Sequence, residues 1–499
     1  MLRSSRVRSA FLLVASLSLA VSTACGSAVS PVPTVTVAPS PAPTSVPSLP
    51  PTLTPAPTSP PTTAPTAVPT ATPVAPTAAP TASPGAAGIE FVVADVPRTM
   101  GTPEDEQAAA AAVNAFGLDL YGQMTRQAAA RGKNLVISPA SIAVALAMAR
   151  AGARGETAAQ MDEVLKAVGS DEHAAWISSL DQALARVSGT FADSTGQRHS
   201  VTLRATNAAF AQRGIELVPA FLEALASRFG AGLRLVDYKS DPEAARLLID
   251  GWVEKQTEGR IPELLKPQDV DTLTRLVLVN TIYLKAPWRL PFDPEDTKPG
   301  TFTRADGSRV KVPMMYLKSE TGGIPYLPYA KGSGWRAVEL PYLGDSLAMT
   351  VIVPDDLAAF EAKLTPKLFG QVVAAFEGTD VELTFPRFGI ETEADLGTLL
   401  PAMGMPLAFD RDRADFSGIR MPSDEPPLYI AKVIHQANID VDEKGTEAAA
   451  ATAVVMATGG GAPEWTVFKV DRPFLFALRD IATGTVLFLG RVMDPSAGS

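Results

Sequence analysis

Between Pro31 and Gly85 the chain packs 18 of its 44 prolines into 55 residues, most of the remainder being Thr, Ala, Ser and Val. No charged residue occurs between Arg8 and Glu90. Such a stretch has too few large apolar side chains to build a core. Proline fixes φ and favours extended polyproline II, so the segment predicts a semi-rigid spacer of ~3.1 Å per residue; a passive disordered linker would differ mainly in stiffness. Everything able to fold as a globule therefore lies beyond about Gly88, where composition turns ordinary and no second linker or internal repeat follows. Roughly 400 residues would usually divide into two or three domains. The missing boundary predicts one large domain over residues 90–499, preceded by a spacer at 26–89.

Residues 1–25 read as an export signal, with Arg3, Arg6 and Arg8 ahead of an apolar run from Phe11 to Val21 that is too short to span a bilayer. Val21-Ser22-Thr23-Ala24-Cys25-Gly26 resembles a bacterial lipobox, with Ser22 where that box usually has Leu; the resemblance implies acylation of Cys25. An ordinary cleaved signal is the alternative. Cys25 is the only cysteine, so no disulfide within the chain is possible. The expected location is outside the cell or on its surface, reached by export. A net charge of −10 argues against nucleic acid as partner, since phosphate binding needs a basic face.

The early part of the domain predicts helices: an Ala-rich stretch from Glu104 to Arg131, a run from Ala140 to Arg150 opened by Ser138-Pro139, and another from Gly155 to Ala167. Later segments predict strands at Arg275 to Tyr283, Ala337 to Leu340, Leu347 to Val353, Val381 to Phe388, Val467 to Val470, Leu475 to Arg479 and Val486 to Gly490. Helices first and strands later give an α+β fold with mainly antiparallel pairing.

Enzyme chemistry finds little support. The three histidines, His173, His199 and His435, lie in no HExxH helix and beside no Cys-rich cluster, so no metal is indicated. Gly344-Asp345-Ser346-Leu347-Ala348 lacks the second glycine of a nucleophile elbow, and neither a P-loop nor a dinucleotide fingerprint occurs. Scattered Ser, Asp and His could still converge in a hydrolase.

The unusual stretch is Asp442 to Pro463, DEKGTEAAAATAVVMATGGGAP: a charged opening, a Gly-Thr step, small residues up to Val454, then glycines and a proline. Helix propensity alone favours an exposed Ala-rich helix with a turn after it. However, Glu443, Gly445, Thr446, Glu447, Ala448, Ala449, Ala450 and Ala451 resemble the reactive-loop hinge of inhibitory serpins. Further landmarks follow that family's order: Asn134-Leu135-Val136-Ile137-Ser138-Pro139-Ala140-Ser141, the segment Ile249 to Ile261 with Gly251 where Asn is frequent, and Leu278 to Trp288. Val312-Pro313-Met314-Met315, Glu339-Leu340-Pro341-Tyr342, Pro386-Arg387-Phe388 and Phe409-Asp410 come next, and Asp471-Arg472-Pro473-Phe474 and Phe488-Leu489-Gly490-Arg491-Val492 close the set. The resemblance spans essentially Glu104 to Pro495.

It implies helices packed around a large mixed sheet and two smaller ones, with an exposed reactive loop at about residues 443–465. It implies a suicide inhibitor of serine or cysteine proteases: once cut, the loop drops into a gap between two central strands of the large sheet. Ser138, Ser141, Asn280 and His435 would form a buried polar cluster, the shutter, beneath that gap. Trp288 would pack at the breach, where the loop enters. Counting seventeen positions from Glu443, as the family usually does, puts the scissile bond between Gly459 and Gly460; a slightly long loop leaves Met456, Ala457 and Thr458 as further candidates. Small neutral residues there suit elastase-like or subtilisin-like proteases, and no Arg or Lys lies between Glu447 and Pro463 to attract a trypsin-like one. A monomer without cofactors is expected, its partner the target protease. A non-inhibitory serpin serving as a surface binding or chaperone-like module is the alternative.

Overall fold

Several helix starts are written as a capping side chain followed by proline. Thr102, Ser138, Asp241 and Thr365 accept hydrogen bonds from the backbone N–H groups of Asp105, Ser141, Ala244 and Leu368, and Pro103, Pro139, Pro242 and Pro366 take the first helical position, where a missing N–H costs nothing. The computed structural model describes residues 88–318, 323–446 and 465–497. These belong to one compact unit.

The helices are α1 (Pro103–Arg126), α2 (Pro139–Gly152), α3 (Gly155–Leu165), α4 (Ser170–Ala185), α5 (Pro219–Phe229), α6 (Pro242–Gln256), α7 (Leu357–Glu361), α8 (Pro366–Ala374) and α9 (Leu399–Met403). The strands of the first half are β1 (Glu90–Val92), β2 (Leu135–Ile137), β3 (Gly189–Ala192), β4 (Arg198–Gln212), β5 (Leu233–Val236), β6 (Leu276–Pro287), β7 (Lys298–Thr303) and β8 (Arg309–Leu317). Those that follow are β9 (Tyr326–Gly332), β10 (Trp335–Pro341), β11 (Leu347–Pro354), β12 (Glu377–Pro386), β13 (Phe388–Asp395), β14 (Lys432–Val441), β15 (Gly445–Thr446), β16 (Thr466–Lys469), β17 (Phe474–Asp480) and β18 (Val486–Val492).

The large sheet runs β1-β5-β4-β6-β15-β14-β13, with β3 alongside β4. The two smaller sheets expected share β12 and make one ten-stranded surface, β2-β18-β17-β11-β10-β9-β12-β8-β7, with β16 on β12. One apolar core fills the space between the sheets and the helices α1 to α5. A second lies on the opposite face of the large sheet, where Ala245, Ile249 and Val253 of α6 cover Phe210, Val277, Val279 and Ile434.

The expected helices and strands are present with shifted ends. The helix expected to reach Arg131 stops at Arg126, and the single strand expected from Val381 to Phe388 divides at Arg387 into β12 and β13. Two strands of the large sheet, β4 and β14, carry Ala, Asn, Gln and His that weaken the alternating pattern, and neither was expected. The order of helices before strands is also interrupted, because β4 and β5 fall among the helices.

Candidate functional site

The candidate site lies along the seam between β6 and β14. Over the lower part these strands pair directly and in parallel, Val277 to Ile282 against Lys432 to Ala437. The gap expected along the seam is therefore closed there. It is open only at the top, where β15 sits between the two: Gly445 and Thr446 pair with Pro287 and Ala286 of β6, and Thr446 with Val441 of β14.

A reversal at 442–445 puts β15 there. Asp442 accepts hydrogen bonds at Oδ1 from the N–H groups of Lys444 (2.8 Å) and Gly445 (3.2 Å), while its own N–H donates to the Gly445 carbonyl. Gly445 has φ +150°, and a Cβ there would sit 2.2 Å from the Ala286 carbonyl oxygen. A glycine is thus demanded by close backbone approach as well as by conformation. Thr446 is only 2% exposed, and its hydroxyl lies 2.6 Å from that of Tyr342.

Trp288 frames the entry. Its indole stacks on Tyr342 at 4.4 Å, Nε1 donates to the Asp442 carbonyl (2.9 Å) and its backbone N–H to the Lys444 carbonyl (2.8 Å). Glu443 is clamped beside it. Its carboxylate meets the Arg387 guanidinium through both oxygens at 2.5 Å and accepts from the Thr297 hydroxyl at 2.7 Å. Burial alone would raise the pKa of this carboxyl; the hydrogen bonds from Arg387 and Thr297 outweigh burial and hold it below its ordinary value.

Lower in the seam, Ser138, Ser141, Asn280 and His435 come together, all fully buried. His435 Nε2 accepts from the Ser138 backbone N–H (3.1 Å), and Nδ1 pairs with Asn280 Oδ1 at 2.7 Å. The first bond fixes the tautomer: Nδ1 carries the proton and donates to Asn280. Asn280 Nδ2 donates in turn to Ser141 Oγ and to Asn207 Oδ1, both at 2.5 Å. Ser138 caps α2, so its hydroxyl takes the Ser141 N–H. Burial pushes the His435 pKa down to about 3, which keeps the ring neutral.

Sequence reasoning missed Asn207, since it lies in the unexpected strand β4. Tyr342 and Arg387 were quoted as landmarks without a role, because only folding carries their side chains to residues 443–446. Glu447, Ala448, Ala449, Ala450 and Ala451, the scissile candidates Met456, Ala457, Thr458, Gly459 and Gly460, and Cys25 all lie outside the described residues. Among the described residues no cluster of His, Cys, Asp and Glu could hold a metal ion.

Known proteins resemble this chain over nearly the whole domain. The family model described as "Serpin (serine protease inhibitor)" matches residues 111–495. Plasminogen activator inhibitor 1 of Bos taurus is 34% identical over 398 residues, covering 79% of this chain and 94% of its own length. Leukocyte elastase inhibitor of Bos taurus is 36% identical over 394 residues, covering 77% and 99%. Among solved structures, the thermophilic serpin tengpin in its native state superposes with a TM-score of 0.69 at 25% identity, over 80% of this chain and 97% of that one. A match that runs from the first long helix to the last strand, on a fold of this topology, assigns the chain to the serpins, a family named for inhibiting serine proteases and not for enzymatic catalysis.

Proposed function

We propose that this serpin traps its target protease by inserting the cut reactive loop into the seam between β6 and β14. The observation that carries the reading is β15: Gly445 and Thr446, near the start of the loop, already occupy the top of the seam, with Thr446 in register with both neighbours. Continuing that register downward would set Ala448 between Leu284 and Ile439, Ala450 between Ile282 and Ala437, Thr452 between Asn280 and His435, and Val454 between Leu278 and Val433. In this inward row the polar Thr452 meets the buried polar pair, and small or apolar residues meet apolar walls.

The same register supports the reading in a second way. His435 stands opposite Asn280 across the closed seam, and both would flank Thr452 across an open one. The strands part sideways without sliding, so no other pairing in the sheet has to change. One parallel ladder is replaced by two antiparallel ones, which are somewhat more stable per residue. The Nδ1–H of His435 and the Oδ1 of Asn280 lose each other when a strand separates them; a threonine hydroxyl can both donate and accept, and so satisfies both.

The target is an elastase-like or subtilisin-like protease, supported by the small neutral residues 456–460. The protein acts outside the cell as a monomer, tethered by the Pro-rich segment and by a lipid on Cys25. The deciding experiment incubates the full chain with pancreatic elastase, subtilisin and trypsin. An SDS-stable covalent complex with one of the first two, and cleavage mapped to 456–460, is expected. Cleavage without any complex would leave the non-inhibitory alternative.

A further inference from the structure

The seam is crossed by a second device, built from residues outside the loop. After α6 the chain returns through residues 257–275 to enter β6, and on the way it passes over the face of β14 and β13. There it is fastened by charge. Lys266 meets Glu393 of β13 at 2.7 Å; Asp269 meets Lys432 of β14 at 3.0 Å, and Lys432 also holds Asp395 of β13 at 2.7 Å. Near the entry of the loop, Arg260 lies 3.6 Å from Asp440 of β14. Lys432 is the hub, with only 24% of its side chain exposed, and it stands at the foot of the closed seam opposite Val277.

The other flank of this segment is held differently. Asp250 of α6 is buried and accepts at Oδ1 from the N–H groups of Leu264 (3.1 Å) and Leu265 (2.9 Å), while Arg246 bridges Asp250 and the Leu265 carbonyl. Helix and return segment thus form one unit. That unit sits on β4 and β6 through apolar contacts made by α6, Leu264 and Leu265. The β6 side of the seam is bound by packing; on the β14 side, Ile434 apart, the binding is largely ionic. Parting β6 from β14 by the width of a strand, ~4.8 Å, carries the three pairs made by Arg260, Lys266 and Asp269 beyond contact distance, while Lys432–Asp395, within the β13–β14 side, stays intact.

We propose that residues 257–270 act as an ionic strap across the seam, and that the Lys266–Glu393, Asp269–Lys432 and Arg260–Asp440 pairs set the rate at which the seam opens to admit a strand. This rests on the insertion reading and adds to it a control by charge. Pairs of this exposure are individually weak and are screened by salt. Together they act as a brake that ionic strength can release.

The test uses the full chain and a fluorescent synthetic peptide with the sequence of residues 446–456, whose incorporation reports opening of the seam. Raising NaCl from about 0.01 M to about 1 M shortens electrostatic range from about 30 Å to about 3 Å and is expected to speed incorporation. Asp269→Asn keeps the acceptor for the Lys266 N–H but loses the charge; with Lys266→Glu it should speed incorporation roughly threefold to tenfold at low salt and flatten the salt dependence. The exchange Lys266→Glu with Glu393→Lys should restore the slow rate, which a merely destabilised fold would not do. Normal incorporation in every variant, with no effect of salt, overturns the strap while leaving insertion intact. Failure of the peptide to incorporate at all, together with no gain in heat resistance after loop cleavage, overturns the insertion reading on which the strap rests.

Discussion

Thr446 is buried against Tyr342, at a position that a strand inserted as proposed must occupy. Thr446→Arg places an unpaired charge there, at a cost of several kcal/mol, so insertion should slow by two orders of magnitude or more. The variant is expected to be cut as a substrate without trapping protease, read as cleaved product in place of SDS-stable complex. Gly445→Ala is the milder probe: its Cβ meets the Ala286 carbonyl, so β15 should leave the seam and the loop should become easier to cut by a protease in limited proteolysis. The buried histidines give a pH effect with a definite sign. Burial holds His435 near 3 and His173 near 4, whereas the unfolded chain titrates near 6.5. Between those values the unfolded state binds more protons, so stability is complete above about pH 6.5 and falls as pH drops, by about 1.4 kcal/mol per unit for each histidine. Unfolding midpoints measured from pH 7 to pH 5 should decline, and the decline should shrink in His435→Gln. Of these residues, Thr446, Gly445 and His435 were legible because they sit in a recognisable motif or landmark; Tyr342 was not, because its role depends on a contact 104 positions away.

Among the elements, β14 and the reversal after it carry the site, and both depend on side chains that a local pattern does not reveal. Lys432, His435 and Gln436 interrupt the apolar run of β14, and each has a partner in the folded sheet that a single strand could not supply. Arg387 marks the break between β12 and β13, and its pairing with the almost fully buried Glu443 fixes the top of β14 to its neighbour. Arg387→Ala leaves that carboxylate with Thr297 alone and should cost about 1–3 kcal/mol, measured as a lower denaturant midpoint for the uncleaved protein. The helices were easier to read, since capping side chain, proline and amphipathic spacing act over a few neighbouring residues.

At the scale of the whole molecule, the closed seam with an open top describes a sheet that has not yet reached its most complete pairing. Cleaving the loop should therefore raise the melting temperature steeply, and differential scanning of intact and cleaved protein checks it; equal melting temperatures would contradict insertion. What the sequence determined by itself was whatever rests on local chemistry: a Pro-rich segment with too few large apolar side chains to build a core, ordinary composition without a second linker after it, the helix starts, and a stretch from Glu443 to Ala451 that resembles a reactive-loop hinge. The tertiary structure alone decided that the seam is closed below Ala437, that β15 is already seated, that Asn207 joins the polar cluster, and that a charged strap crosses to β13 and β14. Each of these joins residues tens to hundreds of positions apart, and such pairings are fixed by the packing of the complete sheet, which no local stretch of sequence encodes.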